Sequence, residues 1–288
     1  MSQRQCIRLN FLSLPLDCIH TIISFIGHKN DLNNLMLTSR IMDEIIHNEG
    51  CKWYCEVIIY NIETILKGEI LIPALNCVNL RIKDKNLTDE KLEIIISKFQ
   101  NLKKLDCSEC PLLTKIPNID GLQVLDYSAC PLLTKTPNID GLQELDCSNC
   151  PLLTKIPNIA GLQTLICSFC PLLTKIPNID GLQELYCSHC PLLAKILNIA
   201  KLQKLICSSC PLLTEIPNIV GLQELKCWSC LLLIEIPNIV GLQELNCWSC
   251  PLLTEIPNIV RLQVLRCYSC CKLTEIPKIT GLQKIKLF

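Results

Sequence analysis

From residue 102 onward the apolar side chains follow a pattern that returns every twenty residues. In the copy LQELDCSNCPLLTKIPNIAG, residues 142–161, they fall at Leu142, Leu145, Cys147, Cys150, Leu152, Ile156 and Ile159. The opening Leu-x-x-Leu-x-Cys contains a two-residue alternation, which predicts a short strand with one packed and one wet face. Pro151 has no N–H for a ladder and ends that strand. Ile156, preceding Pro157, is biased toward extended backbone, and Gly161 supplies a permissive turn into the next copy. One such unit cannot bury its own apolar face, but stacked units bury each other's. Nine full copies and a truncated tenth, ending in GLQKIKLF, make this a stacked repeat architecture.

The pattern changes before residue 102. Leu75, Val78 and Leu80 precede Leu102, Leu105 and Cys107 by 27 residues each. Between them Thr88 is a candidate N-cap, with Asp89 and Glu90 in the first turn and apolar Leu92, Ile95, Ile96 and Phe99 at helical spacing. Residues 75–101 therefore read as a longer, helix-containing copy that caps the array and shields its first edge. Residues 51–74 read as a helical linker. Farther upstream, residues 9–50 predict three short helices. Ile19, Ile22, Ile23 and Ile26 lie on the first, Leu32, Leu35 and Met36 on the second, and Ile41, Ile45 and Ile46 on the third. Three short helices make too small a core to stand alone, which predicts a partner.

Lys+Arg and Asp+Glu both number 27, so the net charge is zero. That balance argues against nucleic acid or an anionic membrane as a partner, since phosphate neutralisation needs a basic surplus. No apolar run reaches spanning length, and the N-terminus lacks an apolar signal segment. The expectation is an intracellular, cytoplasmic protein with reduced thiols. Cysteine is abundant at 23 residues, of which 18 lie between Cys107 and Cys271. Every repeat but the second carries Cys-x-x-Cys, as in Cys107/Cys110 and Cys247/Cys250. Two such pairs are a possible tetrahedral zinc site, and neighbouring strands about 4.8 Å apart would permit disulfides. Tyr127 replaces the first cysteine in the second repeat, a change that packing tolerates and ligation does not. The adopted expectation is therefore buried core thiols, with no metal and no cofactor.

The repeat resembles the leucine-rich repeat, Leu-x-x-Leu-x-Leu-x-x-Asn/Cys-x-Leu. Cys147 takes the third leucine site and Cys150 the Asn/Cys ladder site, and the resemblance covers residues 102–288. It implies a solenoid with a parallel sheet on its concave face. The string Leu14-Pro15-x-Asp17-x-Ile19-x-x-Ile22-x-x-Phe25-Ile26, followed by Asp31-Leu32-x-x-Leu35-x-Leu37-x-Ser39-Arg40, resembles the F-box, with Thr38 and Met42 where the family has Val and Trp. In that family the motif docks on the Skp-type adaptor of cullin ubiquitin ligases. The resemblance assigns this contact to Leu14, Pro15, Ile19, Ile22, Phe25, Leu32 and Leu35. The whole chain is then an α+β repeat protein, a short helical F-box followed by a leucine-rich solenoid. It is similar to F-box/leucine-rich-repeat substrate receptors, and its Ile-, Asn- and Lys-rich style to the versions encoded by giant DNA viruses. Such receptors present a target protein and perform no chemistry, in keeping with four scattered histidines and no nucleophile with a placed base. Two alternatives stand beside this reading: a binding scaffold without a ubiquitin link, and a zinc protein.

Target recognition is expected on the wet side of the strands. The fifth position of successive repeats runs from Asp106, Asp126 and Asp146 through Ile166, Tyr186 and Ile206 to Lys226, Asn246 and Arg266. The seventh is Ser from 108 to 208 and then Trp228, Trp248 and Tyr268, while the eighth contributes Phe169 and His189. Phe169, Tyr186, His189, Lys226, Trp228, Trp248, Arg266 and Tyr268 are the candidate target-binding residues. A plain cross-strand ring ladder would explain the same aromatics. The fourteenth position also changes sign, from Lys115 through Lys195 to Glu215 through Glu275, so one edge of the solenoid is expected to be electrically polar.

Overall fold

The computed structural model describes residues 55–60, 62–66, 77–99 and 101–286. All of them belong to one compact unit, residues 54–66 with 74–288. The F-box-like segment and its seven candidate adaptor contacts, Leu14, Pro15, Ile19, Ile22, Phe25, Leu32 and Leu35, lie outside the described residues.

Among the described residues, twelve strands form one sheet in sequence order. Strand β1 is Cys55–Ile59, β2 is Cys77–Ile82, and β3 to β12 are three-residue strands from Lys104–Asp106 to Lys284–Lys286. Helix α1 spans Ile62–Leu66 and α2 spans Asp89–Ile96. All pairings are parallel, and from β3 onward each residue faces the one twenty positions later, as Leu145 faces Leu165. In every internal repeat strand the central leucine is buried, and its two neighbours are half-buried or exposed except for the buried Asp106 of β3. Leu142, Leu145, Cys147, Cys150, Ile156 and Ile159 of the reference repeat are buried as their spacing predicts.

The structure corrects the sequence reading at three places. Leu152 is 40% exposed while Leu153 is fully buried. The two lie in a turn after Pro151, where no regular period distinguishes adjacent leucines. Second, β2 aligns 25 residues before β3, with Leu80 opposite Leu105 and Arg81 opposite Asp106. A two-residue slip leaves the same strand face inward, so alternation alone could not choose between offsets of 25 and 27. Leu80 and Ile82 are the buried residues, and Val78 is only half-buried. Third, the segment read as a helical linker contains β1, whose run Val57-Ile58-Ile59 is β-branched and suits a strand. The first edge of the sheet is therefore β1, and the helix-containing copy sits one coil inside it.

Helix α2 forms as its sequence predicts. Thr88 caps it and accepts from the Lys91 N–H, Asp89 and Glu90 occupy the first turn, and Leu92 and Ile95 are buried. Asp89 also reaches forward, accepting from the Thr114 N–H at 2.9 Å and the Lys115 N–H at 3.2 Å. These bonds tie the helix-containing copy to the first twenty-residue repeat.

Candidate functional site

Each repeat leaves its strand through a residue in left-handed backbone. The eighth position, from Glu109 to Ser269, has φ between 54° and 59° in all nine repeats, and none of these residues is glycine. Such a conformation is costly for a side chain in isolation, of order 1 kcal/mol or more. Inter-repeat hydrogen bonds hold it: the Phe169 N–H donates to the Ser188 carbonyl, and the His189 N–H to the Ser208 carbonyl. This turn was barely legible in the sequence, because of its nine residues only Asn149 and His189 are of types enriched at positive φ. The glycine column is less strict than expected, since Lys201 and Arg261 replace it and are not among the left-handed residues.

The turn aims the eighth side chains along the face that the seventh residues occupy. Five rings join there. Phe169 stacks on His189 at 4.3 Å between centroids, and His189 meets Trp228 edge-on at 5.8 Å. Trp228 stacks on Trp248 at 4.8 Å, and Trp248 on Tyr268 at 5.3 Å, both nearly parallel. The His189–Trp228 contact crosses the sixth repeat, which has no ring of its own. Ser208, in the repeat they bridge, is fully buried, and its Oγ has no hydrogen-bond partner among the described residues.

The other three candidates lie one step back, on the strands. Tyr186 donates to Glu184 Oε2 at 2.5 Å, and the Lys204 ammonium sits 5.4 Å above its ring. Lys226 pairs with Glu224 and stands 3.9 Å from Glu244, and Arg266 donates to Glu244 Oε1 at 2.6 Å. Burial pushes the Glu224 carboxyl up, but Lys226 and Lys204 outweigh it and hold it below the ordinary carboxylate range. The two layers touch where Lys286 lies 5.0 Å over the Tyr268 ring. The sequence reading named the fifth column and missed its partners in the third, Glu184, Lys204, Glu224 and Glu244. Their signal was available: alternate residues of a strand share a face.

The cysteines stand elsewhere, inside the coil. The ninth-position thiol donates to the carbonyl of the sixth residue one repeat earlier, as Cys170 Sγ to the Cys147 carbonyl at 3.2 Å and Cys210 Sγ to Cys187 at 3.2 Å. The weak S–H donor thus serves a buried carbonyl that water cannot reach. Burial pushes Cys150, Cys170 and Cys230 up to about 12, which keeps them as thiols. No group of three or more His, Cys, Asp or Glu among the described residues is placed to hold a metal ion. In the second repeat Tyr127 is fully buried and shares a hydrogen bond with Thr136 at 2.5 Å. Thr136 stands where every other full repeat has isoleucine, so a larger residue in one column is matched by a smaller one in another.

A family model for the Leucine Rich Repeat matches residues 101–120 and 141–162. No curated protein matches the chain. The parallel-sheet solenoid is consistent with that repeat family, and leucine-rich-repeat solenoids typically act as non-enzymatic scaffolds for protein–protein binding. Among the described residues, no helix is long and apolar enough to cross a membrane.

Proposed function

We propose that the protein is a non-enzymatic adaptor that holds a target protein on the strip from Phe169 to Tyr268, while residues 9–50 dock on the Skp-type adaptor of a cullin ubiquitin ligase. The observation that carries the target half is the unbroken run of five rings across the fourth to ninth repeats. Stacking covers ring faces within the run and leaves ring edges, the His189 imidazole and the indole N–H groups to a partner. Aromatic side chains of this kind supply large contact area together with directed hydrogen bonds. Short strands fixed by neighbours on both sides keep their positions, so binding orders little that was mobile. Beside the rings, Lys226 and Arg266 are held by Glu224 and Glu244, which gives the patch a charged margin of both signs. The adaptor half is supported by the Leu14-Pro15 and Asp31-Leu32…Ser39-Arg40 string.

Affinity capture with mass spectrometry tests both halves at once. Trp228→Ser/Trp248→Ser restores the residue that six other repeats carry at this position, and is expected to lose the target while keeping the adaptor. Truncating one interface anchor typically costs about 2 kcal/mol or more. Leu14→Ala/Pro15→Ala is expected to do the reverse. A target list unchanged by the tryptophan pair would reduce the rings to a structural ladder, and no adaptor complex at micromolar concentration would leave a scaffold without a ubiquitin link.

A further inference from the structure

A second face of the repeats shares no residue with the strands or the rings. Its first component is the exposed leucine column. The eleventh residue of the first seven repeats, from Leu112 to Leu232, is 40–46% exposed in every case. Stacked about 4.8 Å apart, these leucines form an apolar stripe roughly 29 Å long. Three residues later, and so within about 10 Å by chain reach, runs the charged column: lysine from Lys115 to Lys195, glutamate from Glu215 to Glu275. All nine residues are exposed. Their coils are in direct register, with bridges between Lys135 and Lys155 and between Glu215 and Glu235.

Like charges stacked at strand spacing repel one another, and among the described residues that repulsion is relieved at two points. Lys195 pairs with Glu215 at 3.3 Å, where the sign changes, and Lys115 pairs with Glu93 of α2 at 2.9 Å. Lys135, Lys155, Lys175, Glu235, Glu255 and Glu275 make no ion pair with any described residue.

We propose that this face binds a second copy of the chain, antiparallel, about a two-fold axis passing between Lys195 and Glu215. A column that changes sign at its centre is self-complementary under such an axis, which is what an isologous contact requires. The axis sets Lys175 opposite Glu235 of the second copy, Lys155 opposite Glu255, and Lys135 opposite Glu275. Three otherwise unpaired cations meet three otherwise unpaired carboxylates. Lys115, the one lysine left without a counterpart, is the one already held by Glu93. The same axis brings Leu192 against Leu212 of the second copy and Leu172 against Leu232, covering the apolar stripe over those four residues. A parallel arrangement would set lysine on lysine. The ring ladder stays open, so two targets would be held by one dimer. A contact this narrow lies at the weak end of specific interfaces, which sets the expected dissociation constant in the micromolar range.

Sedimentation of the full chain tests this. A dimer is expected at low salt and should weaken at about 0.5 M salt, where screening acts within a few Å. Lys155→Glu/Lys175→Glu is expected to weaken it at least about tenfold, because the two-fold axis counts each reversed pair twice. Adding Glu235→Lys/Glu255→Lys to that variant is expected to restore association. Circular dichroism melting establishes that each variant is folded, and Lys155→Gln/Lys175→Gln, with a smaller loss in the same direction, replaces any that is not. A chain monomeric up to about 100 µM, well above that micromolar range, would overturn the proposal. So would a dimer indifferent to salt, or a four-residue exchange that fails to recover association.

Discussion

The first three repeats and the last three share one core and carry opposite surfaces. Leu125 and Leu225 are both fully buried at the centre of their strands, and Cys130 and Cys230 make the same bond to the preceding coil. On the wet side the two ends diverge. Asp106, Asp126 and Asp146 each turn back on their own loop, accepting from the N–H of Ser108, Ser128 and Ser148. Burial pushes the Asp126 carboxyl up, and the charges of Asp146 and Asp106 on the adjacent strands add to it, against the lowering pull of Ser128. At the far end the contacts run between repeats instead, through Trp228, Trp248 and Tyr268 and through Glu244 to Arg266. Buried columns set the fold equally along the array, and exposed columns make its two ends chemically different. At the acidic end each aspartate is held by its own loop, with one pair between coils, from Arg81 to Asp106 at 2.7 Å, whereas the aromatic end is built by stacking.

The largest effect should strike both ends alike. Burial holds Cys130, Cys150 and Cys250 at about 12, whereas an unfolded cysteine titrates near pH 8.5. Above that lower value the unfolded chain releases protons that the folded chain keeps. The contribution is complete below about pH 8.5 and is lost as pH rises toward the folded value, at about 1.4 kcal/mol per pH unit for each buried thiol. Cooperative alkaline unfolding is therefore expected well below pH 12, with hydrogen-exchange protection lost from both ends together. An end that kept its protection would show that its thiols are not desolvated.

A smaller effect singles out the second repeat. Tyr127→Cys removes most of a buried ring and should cost about 3 kcal/mol. Thr136→Ile alone overpacks that ring and breaks its hydrogen bond, at about 1–3 kcal/mol. The double variant recreates the pattern of the other repeats and should lie within about 1 kcal/mol of the parent in urea denaturation, a strongly non-additive pair. Additive losses would mean that the two residues do not compensate each other.

The smallest effect separates the ends. A double-mutant cycle between Trp228→Ser and Trp248→Ser should give a coupling of about 0.5–1.5 kcal/mol, the usual worth of a ring pair. A cycle between Ser108→Ala and Ser128→Ala at the acidic end should give almost none. Equal couplings would erase the distinction between a surface built by stacking and one satisfied locally.

Much of this was determined by the sequence alone. The twenty-residue period, the strand around Leu145, the buried columns of Leu142, Cys147 and Cys150, and the capped helix after Thr88 all follow from spacing and from a few residues with strong backbone preferences. The tertiary structure decided what spacing leaves degenerate. It chose the 25-residue register of β2, because alternation has period two and accepts any even slip. It selected Leu153 over Leu152, because a turn has no period, and made β1 the first strand, because that segment carries no copy of the repeat. It joined His189 to Trp228 across the sixth repeat and gave the third-column glutamates to Lys226 and Arg266. Those contacts link residues up to about forty positions apart. They exist only once the coils are stacked at strand spacing, a distance fixed by backbone hydrogen bonds rather than by the side chains that it brings together.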